Sequence, residues 1–266
     1  MTDMPSTPVF SADEIARYRR HLVLPEIGGA GQQKLKCAHV AVLGAGGLGA
    51  PVIAMLAAAG VGHLTLIDDD VVDLSNLQRQ FIHRTNDQNA AKVESAKRFI
   101  FDLNPHVGVT VWQERLSADN AAALIDGATL AIDGSDNFAA RRALAAACEA
   151  QNIAMVTGAV NRFDGSLSVI APHLADDKGR PAPRFSDLYP DDPPDGLLAS
   201  CAEIGIVGAL TGVIGTLMAM EALKMITGAG TPLIGRVMLY DGLSAKFSEL
   251  RYRRKTRSFF GETGQF

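Results

Sequence analysis

Gly44, Gly46 and Gly49 fall in G-x-G-x-x-G spacing, and Asp68 follows about 20 residues on. Glycines at that spacing let the backbone approach a phosphate at a helix N-terminus, and the acid can accept hydrogen bonds from ribose hydroxyls. Taken alone, this fingerprint favours NAD; its plainer alternative is a turn whose glycines only permit close packing. The residues after Asp68 tip the balance. The run DDDVVDLSNLQRQFIHR, residues 68–84, gathers Asn76, Arg79 and Gln80 just beyond the carboxyl end of a strand, where open α/β sheets bind ligands. A dehydrogenase has no use for that set. In a helical turn the three share one face, so that an amide and a guanidinium can clamp one polyphosphate. Lys92 opens the next helix and adds a second positive charge, unless it is simply a solvated helix residue.

These side chains need a scaffold, and the apolar pattern supplies one. A capping box at Ser11 and Glu14 starts a helix carrying Arg17, Tyr18, Arg19, Arg20 and His21. A Gly-rich turn (Gly28, Gly29, Gly31) leads to a strand at residues 39–43, GAGGLG turns the chain, and a small-residue helix at 50–59 precedes a strand at 63–67. That is a βαβ unit with a parallel pair. The alternation continues with helices at about 89–103, 118–125 and 137–151 and strands at 107–112, 129–133 and 153–157. After Gly158 the rhythm changes: strands at 165–171, 236–241 and 246–252 have hairpin-like spacing and flank a long apolar helix over residues 204–220. The expectation is an α/β fold, a Rossmann-like, largely parallel sheet extended by antiparallel C-terminal strands, with helices on both faces. It forms one unit over residues 11–252, interrupted by an extended, mobile Pro- and Asp-rich loop at 175–199 and followed by a tail at 253–266.

The 266 residues, 47% hydrophobic, suffice for a full core, and the formal net charge of -4 comes without a basic tract. Nucleic acid and anionic membranes are therefore not expected partners. Residues 204–220 raise a membrane-helix question, answered by four interrupting glycines and by Glu221 and Lys224 directly after them. The N-terminal residues lack the apolar core of a secretory signal. Cys37, Cys148 and Cys201 form no CxxC pair, and a reducing cytoplasm suits them. The six histidines show no ligand-spaced cluster and no triad with a serine.

GAGGLG, DDDVVDLSNLQRQ, AKVESAK and DGSDN, with RYRRHL before them and SCAEIG and GVIGTLMAMEALK after, resemble the MoeB/ThiF/HesA adenylyltransferases of the ubiquitin-activating superfamily. The similarity runs over residues 15–252. It implies ATP-dependent adenylation of the C-terminal glycine carboxylate of a ubiquitin-like sulfur-carrier protein of the ThiS/MoaD type, for sulfur transfer into cofactor biosynthesis. Adenine and ribose would lie at Gly44, Gly46, Gly47, Gly49 and Asp68, with Asp70 nearby. Asn76, Arg79 and Lys92 would hold the phosphates, Gln80 would belong to the nucleotide-binding set, and Asp136 would serve the Mg²⁺ and nucleotide site. The arginine aligned with Arg20 reaches the ATP of the other subunit in relatives, which implies a homodimer with composite sites. The carrier's tail would end in Gly-Gly, because glycines thread a narrow channel at small steric cost.

The chain departs from the family pattern in one respect. Many members carry two CxxC pairs for structural zinc; here neither pair exists, so no zinc site is expected and a molybdopterin-specific assignment loses support. Cys201, in SCAEIG, matches a position where some relatives place a reactive cysteine; its alternative is a small buried residue. Arg79 and Asp136 have a surface ion-pair alternative, and Arg20 a plain surface one. An NAD(P)-binding oxidoreductase, a scaffold without turnover, and a relative acting on a tRNA-linked or peptide carboxylate are the competing functions.

Overall fold

The computed structural model describes residues 9–176, 178–191 and 205–255. The helix α1 (Ala12–Leu22) starts at the expected capping box, with Ser11 Oγ accepting from Glu14 N–H and Glu14 Oε2 accepting from Ser11 N–H. Then follow α2 (Gly28–Cys37), β1 (His39–Leu43), α3 (Gly49–Ala59), β2 (His63–Ile67), α4 (Lys92–Leu103), β3 (Gly108–Trp112), α5 (Ala121–Leu124), β4 (Leu130–Asp133) and α6 (Phe138–Gln151). The C-terminal part contributes β5 (Ala154–Asn161), β6 (Asp164–Ile170), α7 (Phe185–Leu188), α8 (Gly208–Thr227), β7 (Arg236–Asp241) and β8 (Lys246–Arg251).

One eight-stranded sheet runs in the order β3-β2-β1-β4-β5-β6-β7-β8. Pairing is parallel from β3 to β5 and antiparallel from β5 to β8. The chain thus grows outward from β1 to β3 on one side, then returns to lay β4 on the other side of β1. That reversal leaves a crevice beyond the carboxyl ends of β1 and β4, where such sheets take ligands.

Strand residues alternate between two cores, as the period of two demands. Val40, Val42, Leu64, Leu66, Leu130, Ile132 and Val156 join the core shared with α3, α4 and α8. Ala41, Leu43, Ile67, Ala131 and Met155 face the core shared with α5 and α6.

Four local expectations change. Gly28, Gly29 and Gly31 lie in a helix, α2, because it packs between α1 and α8, and tertiary contact overrides glycine's weak helix propensity. Gly158 does not end β5; a Cβ there would overlap Met218 of α8, so the glycine lets that helix settle on the strand. Helix α8 begins only at Gly208 and runs on through Glu221, whose buried carboxylate accepts from Leu233 N–H and pairs with Lys224. Of the segment expected to be extended, the described part is tethered: α7 buries Phe185 against Phe138 and Tyr189, and Ala175 bridges Pro181. Aromatic burial there outweighs the local wealth of proline and acid.

By length and composition α8 could cross a membrane. Here Leu210, Ile214, Met218 and Ala222 are buried, and the helix lies against α3, β5 and β6.

Candidate functional site

The glycine turn is built by backbone crowding. A Cβ at Gly49 would fall inside the contact shell of Gly44 O, and one at Gly44, where φ is +89°, would stand 2.9 Å from Gly134 O. Only glycine fits both positions. Gly134 belongs to DGSDN, so the same contact that closes the turn brings this second motif beside it, across the β1–β4 crevice. Asp136 then stands exposed, with no hydrogen bond or ion pair to any described residue. Asn137 caps α6 by accepting from Ala140 N–H at 3.0 Å.

On the other side lies the polar run after β2. A 3₁₀ turn at Leu74–Asn76 forms under an Asp73 cap, and Arg79 N–H and Gln80 N–H both donate to Asn76 O at 3.0 Å. The run is therefore helical in its hydrogen bonding, as its spacing required. A Cβ at Gly46 would stand 3.5 Å from Gln80 Nε2, and one at Gly47 3.6 Å from Arg79 Cδ. Arg79 Nη1 donates to Ser75 O at 3.1 Å. Gln80 is 3% exposed and its Oε1 is buried without a partner. The N-terminus of α8 closes this side: Gly208 sits against Gln78 and Arg79, with no room for a side chain.

Asp68 ties the two halves together. Its Oδ2 accepts from Ala45 N–H at 2.7 Å and its Oδ1 from Asp70 N–H at 2.9 Å. Burial pushes its carboxyl above the ordinary range, although the Lys92 charge and both N–H donors pull the other way. Lys92 is no solvated helix charge. It is 5% exposed and its Nζ pairs with Asp70 Oδ2 at 2.8 Å, at the first position of α4.

Sequence reasoning passed over the device that holds DGSDN. Asp133, fully buried at the end of β4, accepts from Ser135 Oγ at 2.6 Å and Thr157 Oγ1 at 2.7 Å, and Arg141 Nε lies 2.6 Å from its Oδ2. Arg141 Nη2 also donates to Ser135 O and Gly158 O. An acid ending an apolar strand, with an arginine on the inner side of the following helix, was the available signal. Breaking such a buried pair from one side leaves a charge without compensation.

The model of the ThiF family matches residues 18–259. The chain belongs to the ThiF family. Similar proteins include the probable adenylyltransferase/sulfurtransferase MoeZ of Mycobacterium tuberculosis, 43% identical over 92% of this chain and 62% of that protein. The sulfur carrier protein adenylyltransferase of Thermus thermophilus is 41% identical over 93% of this chain and 91% of its own length. The SAMP-activating enzyme E1 of Haloferax volcanii is 39% identical, with 91% and 87% covered. This ThiF-family chain thus spans less than two thirds of MoeZ but nearly all of the Thermus protein. Among solved structures, PaaA superposes with a TM-score of 0.79 at 24% identity, covering 96% of this chain and 78% of PaaA. E. coli MccB crystallised with AMPCPP and MccA gives 0.77 at 21%, covering 91% and 73%; at these identities the likeness concerns the fold.

Of the residues that the family resemblance singles out, Gln80 and Arg79 lie against Gly46 and Gly47, Asp68 holds Ala45 N–H and Asp70 N–H, and Lys92 pairs with Asp70. Asn76 O accepts from Arg79 and Gln80, and Asp136 follows Gly134, which closes on Gly44 and neighbours Gly49. Arg20 does not join them. It is exposed on α1, whose buried Tyr18 packs on Gly60 at the far end of α3. The 11-residue α3 starts at the glycine turn and is about 16 Å long, so Tyr18, two residues before Arg20, packs at the end of α3 remote from the crevice. Cys201 lies outside the described residues. Cys148, by contrast, is a buried core residue whose thiol is pushed up to about 12 by burial and by the nearby Asp133 charge.

Proposed function

We propose that this chain adenylates the C-terminal glycine carboxylate of a ubiquitin-like sulfur-carrier protein, using ATP and releasing pyrophosphate, in the service of sulfur transfer to a cofactor in the cytoplasm. The observation that carries the reading is the convergence, on one glycine turn, of Asn76, Arg79, Gln80 and Lys92 from one side and Asp136 from the other. The names of the Thermus and Haloferax relatives favour the same chemistry.

The residues fit ATP. Gly44 and Gly49 let the backbone close into a turn whose Gly46 and Gly47 N–H groups meet no acceptor among the described residues, and Asp68, beside that turn, would accept from ribose hydroxyls. They also fit Mg²⁺, which keeps most of its coordination to water and phosphate and needs only one or two carboxylates, here Asp136. A metal held there would supply charge neutralisation on phosphate oxygens. A terminal carboxylate is already ionised at neutral pH, so no general base is required. One of its oxygens forms a bond to the α-phosphorus while the bond from that phosphorus to the pyrophosphate oxygen breaks, leaving an acyl adenylate. The protein's part is alignment and charge: Arg79 and Lys92 offset the negative charge that builds on the phosphate oxygens. Lys92 can do so by sharing Asp70, whose carboxylate is otherwise largely exposed.

Arg20 is exposed on α1, whose Tyr18 packs at the end of α3 remote from the glycine turn, and this favours service to a nucleotide held by a second copy of the chain; a homodimer with composite sites is part of the proposal. The test is pyrophosphate exchange into ATP in the presence of carriers ending in Gly-Gly, with intact mass measurement of the carrier. Exchange that needs the carrier, and a carrier gaining one adenylate, supports the reading. No exchange with any carrier, together with tight NADH binding that ATP fails to displace, overturns it.

A further inference from the structure

His83 is 4% exposed and hydrogen-bonded at both ring nitrogens, yet it lies outside the set that meets the nucleotide. Its Nε2 is 2.9 Å from Ala45 O, inside the glycine turn, and its Nδ1 is 2.8 Å from Ser95 Oγ on α4. A carbonyl can only accept, so Nε2 carries the proton. Nδ1 then accepts from Ser95, or donates to it while Ser95 donates to Asp87 Oδ2 at 2.8 Å. Either proton arrangement keeps the Nε2–H pointed at the turn.

Ala45 is consequently gripped on both sides. Its N–H is held by Asp68 and its C=O by His83. The peptide between Ala45 and Gly46 is planar and trans, so drawing the carbonyl toward the buried imidazole turns the Gly46 N–H the opposite way. The N–H groups of Gly46 and Gly47 donate to no acceptor among the described residues. Gly46 and Gly47 follow this peptide and make it easy to rotate, and the side-chain grip replaces the rigidity that the sequence lacks.

We propose that His83 is a positioning residue for the nucleotide: it locks the Ala45–Gly46 peptide so that the turn meets the phosphates with its N–H groups already oriented. The inference rests on ATP being the ligand of this turn. Without the lock, part of the binding energy is spent on ordering the turn, which weakens ATP affinity and leaves the reacting groups in place.

Two substitutions separate this role from core packing. The amide nitrogen of glutamine is as many bonds from Cβ as histidine Nε2, so His83→Gln can still donate to Ala45 O. The amide group of asparagine reaches only as far as Nδ1, so His83→Asn keeps only the Ser95 side. Carrier-dependent pyrophosphate exchange, ATP affinity by equilibrium binding of a non-hydrolysable ATP analogue, and thermal melts are measured on wild type, Gln, Asn and Leu variants. The expected result is a rise in the KM and Kd for ATP of about tenfold for Asn and Leu, kcat within about threefold of wild type, and Gln restored to within about threefold. Wild-type affinity in a folded Leu or Asn variant overturns the inference, as does a Gln variant no better than Asn at a matched melting temperature. If Leu fails to fold, the comparison of Gln with Asn decides. Failure of wild type itself to bind the analogue counts against ATP as the ligand and is thereby distinct.

Discussion

The crevice between β1 and β4 and the hairpin β7–β8 belong to one sheet but are built on opposite terms. At the crevice, glycine backbones touch, Gln80, His83, Lys92 and Asp133 are buried, and most polar groups have named partners. In β8 all six residues are exposed, Phe247 and Leu250 remaining 52% and 58% accessible, and Leu243 in the turn before it is 76% accessible. The first region is intolerant because each atom is fixed by several others. The second is held by the backbone ladder to β7, which is indifferent to side-chain identity, together with the Tyr240–Phe247 stack and the Arg236–Glu249 pair across it.

Arg79→Ala or Asp136→Ala breaks the comparison most severely if it fails. Adenylation should fall by about 10²–10³-fold, the range for a lost electrostatic contact at a reacting centre, while the melting temperature stays near wild type because neither side chain is buried. Exchange assays with parallel melts check this, and an active alanine variant would remove the crevice from the chemistry. Gly49→Ala comes next. Its new methyl group must displace the backbone of Gly44, so a loss of about 1–3 kcal/mol in denaturant unfolding is expected, together with weakened ATP binding.

A smaller effect is pH-dependent. Burial raises the Asp68 carboxyl, so if it accepts from ribose as proposed, that acceptor should be lost as pH falls at a pH above the ordinary carboxylate value of 3.8, and ATP affinity should fall with it. Stability runs the other way: the folded state holds this proton more tightly, so the group favours folding at low pH and that contribution disappears as pH rises through its folded value. Asp68→Asn should flatten both slopes, measured by ATP binding and by melts across the acid range. The smallest effect belongs to the hairpin. Leu250→Ser should change unfolding free energy by no more than about 0.5 kcal/mol and leave ATP affinity untouched. A large loss there would mean that the exposed face is covered in the working protein.

The contrast also governs what could be read in advance. Gly44, Gly49 and Asp68 were legible because a strand, a turn and a helix in direct succession constrain one another locally. The same holds for the helical spacing of Asn76, Arg79 and Gln80. Gly158 misled, since a glycine that breaks a strand and one that admits Met218 look alike in sequence. Gly28, Gly29 and Gly31 misled for the converse reason, as packing between α1 and α8 made a helix from residues that prefer turns.

The order of residues alone determined the alternation of elements, the glycine turn, the polar run after β2 and the absence of CxxC pairs, because each depends on neighbours within a few positions. Only the tertiary structure decided that Gly134 closes on Gly44 and so brings Asp136 to the turn. It likewise buried Lys92 against Asp70, set His83 under Ala45 and packed Tyr18, two residues before Arg20, at the end of α3 remote from the turn. Those distances join residues far apart in the chain, and strand order together with close packing, rather than spacing, sets them.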